Sequence, residues 1–401
     1  MHVPRLATYG ASGPNTVELG AAGLARLQRC LGAPPQLVVV VCTEEHDLEQ
    51  LCRTTRAAFP QAQVAGTTTA VGVVTEQQFW EGPAVGMFGV LDPHGAYGVA
   101  LVPLDGAPRR AAATAMRAAG AAAGRPGELP ECALMFGVAG HEERLLEGIH
   151  DVVGPKMPVL GGSAGDQDFS GRWRLSTHAH ASPDAVVVVA MFPSAPLRWA
   201  HRSGYTPTQH NGRVTRASGR RLYEIDGEPA GDVYARWTGI RVDATLEPAT
   251  SLLARTTLSP IGRRVGMVAQ LPIYALSLPN AILADRSMEM LTEMATGDEL
   301  VLMEGTAEAL LNRTTRAVAA ARLNRPILGG ITIHCVCYAL AIGKHKAEIS
   351  ARVRDALGDV PVLGWFTHGE QGPRVDGGGN MHANLMTTAV LFGDGSDPHD
   401  A

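Results

Sequence analysis

Apolar runs and amphipathic stretches alternate along this chain in a fixed order, and the order recurs three times. Residues 37–42, 132–138 and 331–339 are nearly unbroken apolar runs rich in β-branched residues and small thiols. That is the pattern of strands, and where the run is unbroken, of strands covered on both faces. A stretch with helical character follows each run, over 45–59, 142–153 and 344–357. In the last of these Ile349, Val353 and Leu357 share one face. A proline then leads into a short second strand ending in glycine: 60–66, 158–161 and 361–364, the last continuing apolar to 366. A further apolar strand comes later in each case, at 84–91, 185–192 and 385–392. The step from Cys42 to Gly66 is 24 residues, and so is the step from Gly137 to Gly161. Strand, helix and parallel strand in this order make a right-handed crossover. The repeat therefore predicts an α/β fold of strand–helix–strand units in mixed sheets.

The remaining stretches add to that frame. Helices are predicted over 16–31, 111–123, 229–237 and 307–323, with Thr306 capping the last. Thr43 is the predicted cap of the helix over 45–59, and the first fifteen residues read as irregular. Additional antiparallel strands are expected between about 199 and 303. Pro193 and Pro196 end the second repeat, so two parts are expected, an N-terminal domain over 1–195 and a C-terminal domain over 196–401.

Composition narrows the class. The 401 residues are 45% hydrophobic and 18% charged, with 34 basic against 39 acidic side chains. That is the profile of a compact chain, and its mild acidity gives no reason to expect nucleic acid. No apolar run approaches the roughly 18 residues of a spanning helix. The start lacks the basic and apolar regions of a secretory leader. Six cysteines in this length do not form a disulfide framework, and free thiols point to the cytoplasm.

Candidate chemistry gathers past the strand ends, where open α/β sheets bind ligands. Thr68 lies between glycines at 66–72, read as an exposed loop. Ser163 and Asp166 lie in Gly161-Gly162-Ser163-Ala164-Gly165-Asp166-Gln167. Close backbone approach and an anion nest suit that segment, and an aspartate there can recognise an amine or a hydroxyl. It lacks the Gly-Lys-Ser/Thr of a P-loop and the spacing of a dinucleotide fingerprint. His368 and Glu370 follow the last short strand, and Asn380 ends a glycine-rich loop. Cys335 and Cys337 are predicted on one face of a strand with His334 on the other. A Cys335 nucleophile would therefore take His368 as its partner. Cys335-Val336-Cys337 is tighter than a zinc knuckle, and no His-Glu-x-x-His occurs, so no metal site is assigned. No Cys-x-x-Cys-His occurs either. A noncovalent haem would need one axial ligand from His, Cys, Met or Tyr, and His334, His345 and His368 qualify by type.

These residues also carry a family resemblance. Val64-Ala65-Gly66-Thr67-Thr68-Thr69-Ala70, Val159-Leu160-Gly161-Gly162-Ser163-Ala164-Gly165-Asp166, Ile225-Asp226-Gly227-Glu228-Pro229-Ala230, Gly364-Trp365-Phe366-Thr367-His368-Gly369-Glu370 and His382-Ala383-Asn384 occur in that order. Over about 36–393 the chain resembles the FIST-domain proteins, in both their N-terminal and C-terminal parts. The resemblance implies a sensory module for a small ligand, and amino acids have been suggested for the family. Some members bind haem and respond to nitric oxide. It places the family's cysteine at Cys335 and its Gly-Glu pair at Gly369 and Glu370, while the arginine-bearing glycine loop is replaced by an apolar run. No kinase, receptor or cyclase region accompanies the match, so a separate signalling protein is the expected partner.

The expectation is a cytoplasmic, signal-transducing protein that binds a small polar ligand between its halves, through Thr68, Ser163, Asp166, His368, Glu370 and Asn380. One alternative is a hydrolase or lyase using Cys335 or Glu370, with His368 as partner. The other is a noncovalent haem-binding gas sensor.

Overall fold

The computed structural model describes residues 3–240, 253, 255–323 and 325–395. The repeat seen in the sequence is a repeat in space. Each unit begins with a strand and a helix, then a strand, a helical connection and a parallel strand, and returns on an antiparallel strand. In the first unit these are Arg5–Ser12, Thr16–Leu31, Leu37–Cys42, Leu48–Ala58, Gln63–Thr68 and Ala84–Leu91. The second runs Ala96–Pro103, Pro108–Ala122, Cys132–Gly137, Glu142–Val153, Val159–Ser163 and Ala185–Phe192. The third runs Leu197–Ser203, Ala307–Arg322, Ile327–Cys335, then Val336–Ile342 and Ile349–Leu357, Val362–Thr367 and Met386–Gly393. The parallel pairs keep equivalent registers, with Cys42 opposite Thr68, Gly137 opposite Ser163 and His334 opposite Phe366.

The three sheets close on one another cyclically. Past its second parallel strand each unit sends a short strand to a neighbour's sheet. Gly72–Thr75 of the first unit pairs with Val362–Thr367 of the third. Glu370–Pro373 of the third pairs with Val159–Ser163 of the second. Leu175–Ser176 of the second pairs with Gln63–Thr68 of the first. The exchange covers strand edges that would otherwise be open. At the crossing point three backbone hydrogen bonds form a ring. Ala70 N–H donates to Phe366 C=O at 3.1 Å, Gly165 N–H to Thr68 C=O at 3.2 Å, and His368 N–H to Ser163 C=O at 3.1 Å. The positions equivalent to His368 are thus Ala70 and Gly165, so an imidazole enters at one of three matching places.

The apolar runs bury both faces, as their composition dictates. Leu37–Cys42, Cys132–Gly137 and Ala84–Leu91 are buried throughout. The largest core joins all three sheets, with Trp365 edge-on to Phe136 at 5.7 Å and Phe88 against Phe392 at 6.3 Å. Met135 lies opposite Gly161 in the parallel pair, and a Cβ at Gly161 would strike the Met135 backbone carbonyl. Gly161→Ala is expected to cost about 1–3 kcal/mol or more, because backbone cannot step aside as a side chain can. Urea unfolding at constant m-value checks this.

Between Leu197–Ser203 and its helix the third unit carries an insertion, from Thr206–Ser218 to Glu299–Glu304, built as a separate antiparallel sheet. Its core is distinct and includes Val214, Ile225, Tyr234 and Met288. The mixed α/β sheets with added antiparallel strands are those the sequence predicts. Local readings differ in four places. Arg5–Ser12 is a strand, paired residue for residue with Ala84–Leu91. The helix after Cys42 starts at Leu48 on an Asp47 cap, while the Thr43 hydroxyl accepts from Ala84 N–H. Residues 66–72 are not an exposed loop, since Thr67, Thr68 and Thr69 are buried in the crossing point. The strand of the third repeat stops at Cys335 and a helix begins at Val336, so Cys335 and Cys337 do not share a strand face.

Candidate functional site

Glu142 begins the second unit's crossover helix, where the helix dipole favours a carboxylate. It is 1% exposed. Its Oε1 accepts from Ser163 Oγ at 2.8 Å, and its Oε2 from Gly140 N–H at 2.9 Å and from Arg220 at 2.6 Å. Burial alone would raise its pKa. The charges of His382 and Arg220, with the hydrogen bonds, outweigh that and bring it down to about 2. Arg220 stands on the turn of a hairpin in the insertion and also donates to Glu143 at 2.7 Å. Glu143 is held below its ordinary value by interaction with the same two side chains, against its burial. Two carboxylates thus share one guanidinium.

Beside this cluster lies a cavity of about 250 Å³. Glu142, Phe169 and Trp173 come from the second unit, Arg220, Asn280 and Leu291 from the insertion, and His368 from the third unit. Phe169 stacks on the His368 ring at 4.5 Å, and Trp173 meets it edge-on at 5.5 Å. His368 Nε2 lies 3.1 Å from the Asp166 carbonyl. A carbonyl only accepts, so Nε2 carries the proton and Nδ1 of the neutral ring is an acceptor. Burial lowers the imidazole pKa, and the nearby Asp166 charge opposes this without reversing it. The side of the cavity formed by Glu142 and His368 therefore offers negative charge and acceptors within aromatic and leucine walls.

Of the residues the sequence singled out, His368 lines the cavity, and Ser163 and Asp166 stand directly behind it. Ser163 orients Glu142. Asp166 accepts from Arg172 N–H at 2.7 Å and leaves Oδ1 without a hydrogen bond, 3.6 Å from His368 Nε2. Thr68 fixes the ring of crossing loops and accepts from Arg174 N–H at 3.0 Å. Glu370 and Cys335 lie elsewhere and are buried. The Glu370 carboxyl accepts from Thr367 Oγ1 at 2.7 Å and from Met386 N–H at 3.1 Å. Burial first, then Cys335, push its pKa well up. Asn380 lines a second cavity of about 390 Å³, and its amide pins the turn before Val159, donating to Met157 C=O and accepting from Val159 N–H, both at 2.9 Å.

Burial likewise pushes the Cys335 thiol well above its ordinary range. A thiol held protonated is a poor nucleophile. In the folded protein at neutral pH, exposed Cys30 should alkylate and Cys335 should not. Peptide mapping after iodoacetamide treatment reads this, and fast labelling of Cys335 would restore the thiol route.

The three candidate histidines do not fit a haem. His334 is fully buried, with Nε2 on Thr332 Oγ1 at 3.1 Å and its ring against Tyr338 and Phe366. His345 pairs with Glu348 at 2.7 Å. Phe169 and Trp173 fill the space beside the His368 ring that a porphyrin plane would take. Glu142, Glu143 and His382 place ligand atoms within 4.8 Å of one another. Arg220 already lies across both carboxylates there, in the place of a cation.

Glu142 and Arg220 are absent from the sequence reading. Glu142 reads as an ordinary helix start and Arg220 as a turn residue, and only a contact across 78 positions joins them.

No curated protein matches this sequence. Among solved structures, the crystal structure of cyanuric acid hydrolase from A. caulinodans aligns over 97% of this chain and 99% of that one, at 12% identity and a TM-score of 0.36. The structure of PurLQS from Thermotoga maritima aligns over 81% of this chain and 74% of that one, at 10% identity and a TM-score of 0.23. At these scores neither bears on chemistry. The FIST N domain matches residues 36–228 and the FIST C domain residues 230–373. FIST domains are associated with sensing small ligands in signal transduction. With both domains present in order over most of its length, the chain belongs to the FIST-domain family.

Proposed function

We propose that this protein senses a small amine-bearing ligand in the cavity between the second unit, the insertion and His368. One observation carries the reading: the buried Glu142 carboxylate borders a small cavity walled by aromatic rings. Three donors already occupy Glu142, which leaves about one acceptor site of its four. An ammonium group satisfies that site, the His368 acceptor and the faces of Phe169 and Trp173 together. A volume of about 250 Å³ suits a molecule of amino-acid size. The ligand would touch both the repeat frame and the insertion. Binding would then favour one placement of the insertion, which a separate signalling protein could read.

Thermal-shift screening of the free amino acids, short diamines and guanidino compounds tests this. Cationic members are expected to raise the melting temperature, and their deaminated counterparts are not. If only anionic compounds stabilise the protein, the amine assignment is wrong. If a stabilising compound is recovered chemically altered, an enzyme reading takes its place.

A further inference from the structure

A third cavity, distinct from the one beside His368, lies at the edge of the third sheet. It encloses about 380 Å³ between the edge strand Leu197–Ser203 and the insertion hairpin Ile261–Val268 and Leu271–Ser277. Its walls are apolar and adaptable, with Tyr274, Met303, Met381 and Met386 among them. Two polar side chains at this edge keep unused hydrogen-bonding capacity. His201 is 3% exposed and its Nδ1 pairs with Thr388 Oγ1 at 2.8 Å, but its Nε2 has no hydrogen-bond partner. The ring reaches this place only because residue 372 is glycine, where a Cβ would strike it. Burial holds its pKa down to about 3, so it is neutral. The next residue, Arg202, is exposed, and its guanidinium has no hydrogen bond or ion pair among the described residues. The buried imidazole nitrogen is costly to leave unused, and the exposed guanidinium beside it has no counter-ion. At the mouth Leu271 is 73% exposed, and Val375, also lining the cavity, is 42% exposed.

We propose that this cavity binds a small amphipathic carboxylate, with its alkyl chain among the methionines and Tyr274 and its carboxylate on Arg202. The apolar walls require the chain, since each buried methylene contributes about 0.8 kcal/mol. The unpaired Arg202 favours an anion, and a guanidinium takes a carboxylate through two parallel hydrogen bonds. His201 Nε2 supplies or accepts one further hydrogen bond at the cavity wall.

Isothermal titration of the full chain with octanoate, octanol and acetate, each below its aggregation concentration, separates these contributions. Octanoate is expected to bind at least about tenfold more tightly than octanol or acetate. Arg202→Gln is expected to bring octanoate down to the octanol level with the melting temperature unchanged, because Arg202 holds nothing in the fold. Met303→Trp, which fills the cavity, is expected to abolish binding of both long-chain compounds. Equal binding of octanoate and octanol, octanoate affinity unaltered in Arg202→Gln, or no octanoate binding at millimolar concentration would each overturn the proposal.

Discussion

Arg220→Ala lowers the unfolding free energy by about 3–5 kcal/mol, the cost of leaving a buried charge without its partner. The arginine bridges Glu142 and Glu143, and the alanine variant leaves two carboxylates side by side with only His382 nearby. The effect has a pH signature. Glu142 is held at about 2 in the folded protein against an ordinary 4.5. Its folded-state pKa is depressed, so its contribution is complete above about 4.5 and is lost as pH falls toward 2. At 1.36 kcal/mol per pH unit that contribution is about 3 kcal/mol. Urea unfolding at pH 7 and at pH 3 should therefore show a wide gap between the natural protein and the variant at pH 7, and a narrower one at pH 3. A variant as stable as the natural protein at pH 7 would mean that the cluster does not tie the insertion to the repeat frame.

Leu291→Trp weakens binding of the best cationic compound about 100-fold or more, which is about 2.8 kcal/mol. Leu291 follows the strand Met288–Met290 and lines the cavity from the insertion side, anchored by its N–H on the Leu278 carbonyl. A larger ring there occupies a substantial part of about 250 Å³. The position is partly exposed and its side chain holds no polar network, so the fold should tolerate the change. Calorimetric titration measures the loss, and circular dichroism confirms the fold. Unchanged affinity would place the ligand elsewhere.

The frame was legible because burial on two faces leaves a strong local trace. Leu37–Cys42 is a strand over the residues its β-branched run marks, and equal spacing to the following glycine reveals the repeat. The Thr306 cap and the helix behind it also follow from local chemistry, since the Thr306 hydroxyl accepts from Ala309 N–H. The exchanged strands were not legible. Leu175–Ser176 and Gly72–Thr75 are two and four residues long, and their partners belong to other units, so no local period announces them. The third run misleads for a related reason. Val336 to Ala339 is apolar because its helix is buried, and a buried helix turn and a buried strand have the same composition. His368 was legible as a polar residue past a strand end. Its cavity was not, because Glu142 and Arg220 meet through tertiary contact between a helix start and an inserted hairpin.

The central claim is that a small amine binds where the insertion meets the repeat frame. A crystal structure with the strongest cationic compound of the thermal-shift panel tests it most directly. The account predicts density for an intact ligand within contact distance of His368 and Glu142, with Phe169 or Trp173 against it. Density confined to another cavity, with Glu142 and His368 untouched, would contradict it.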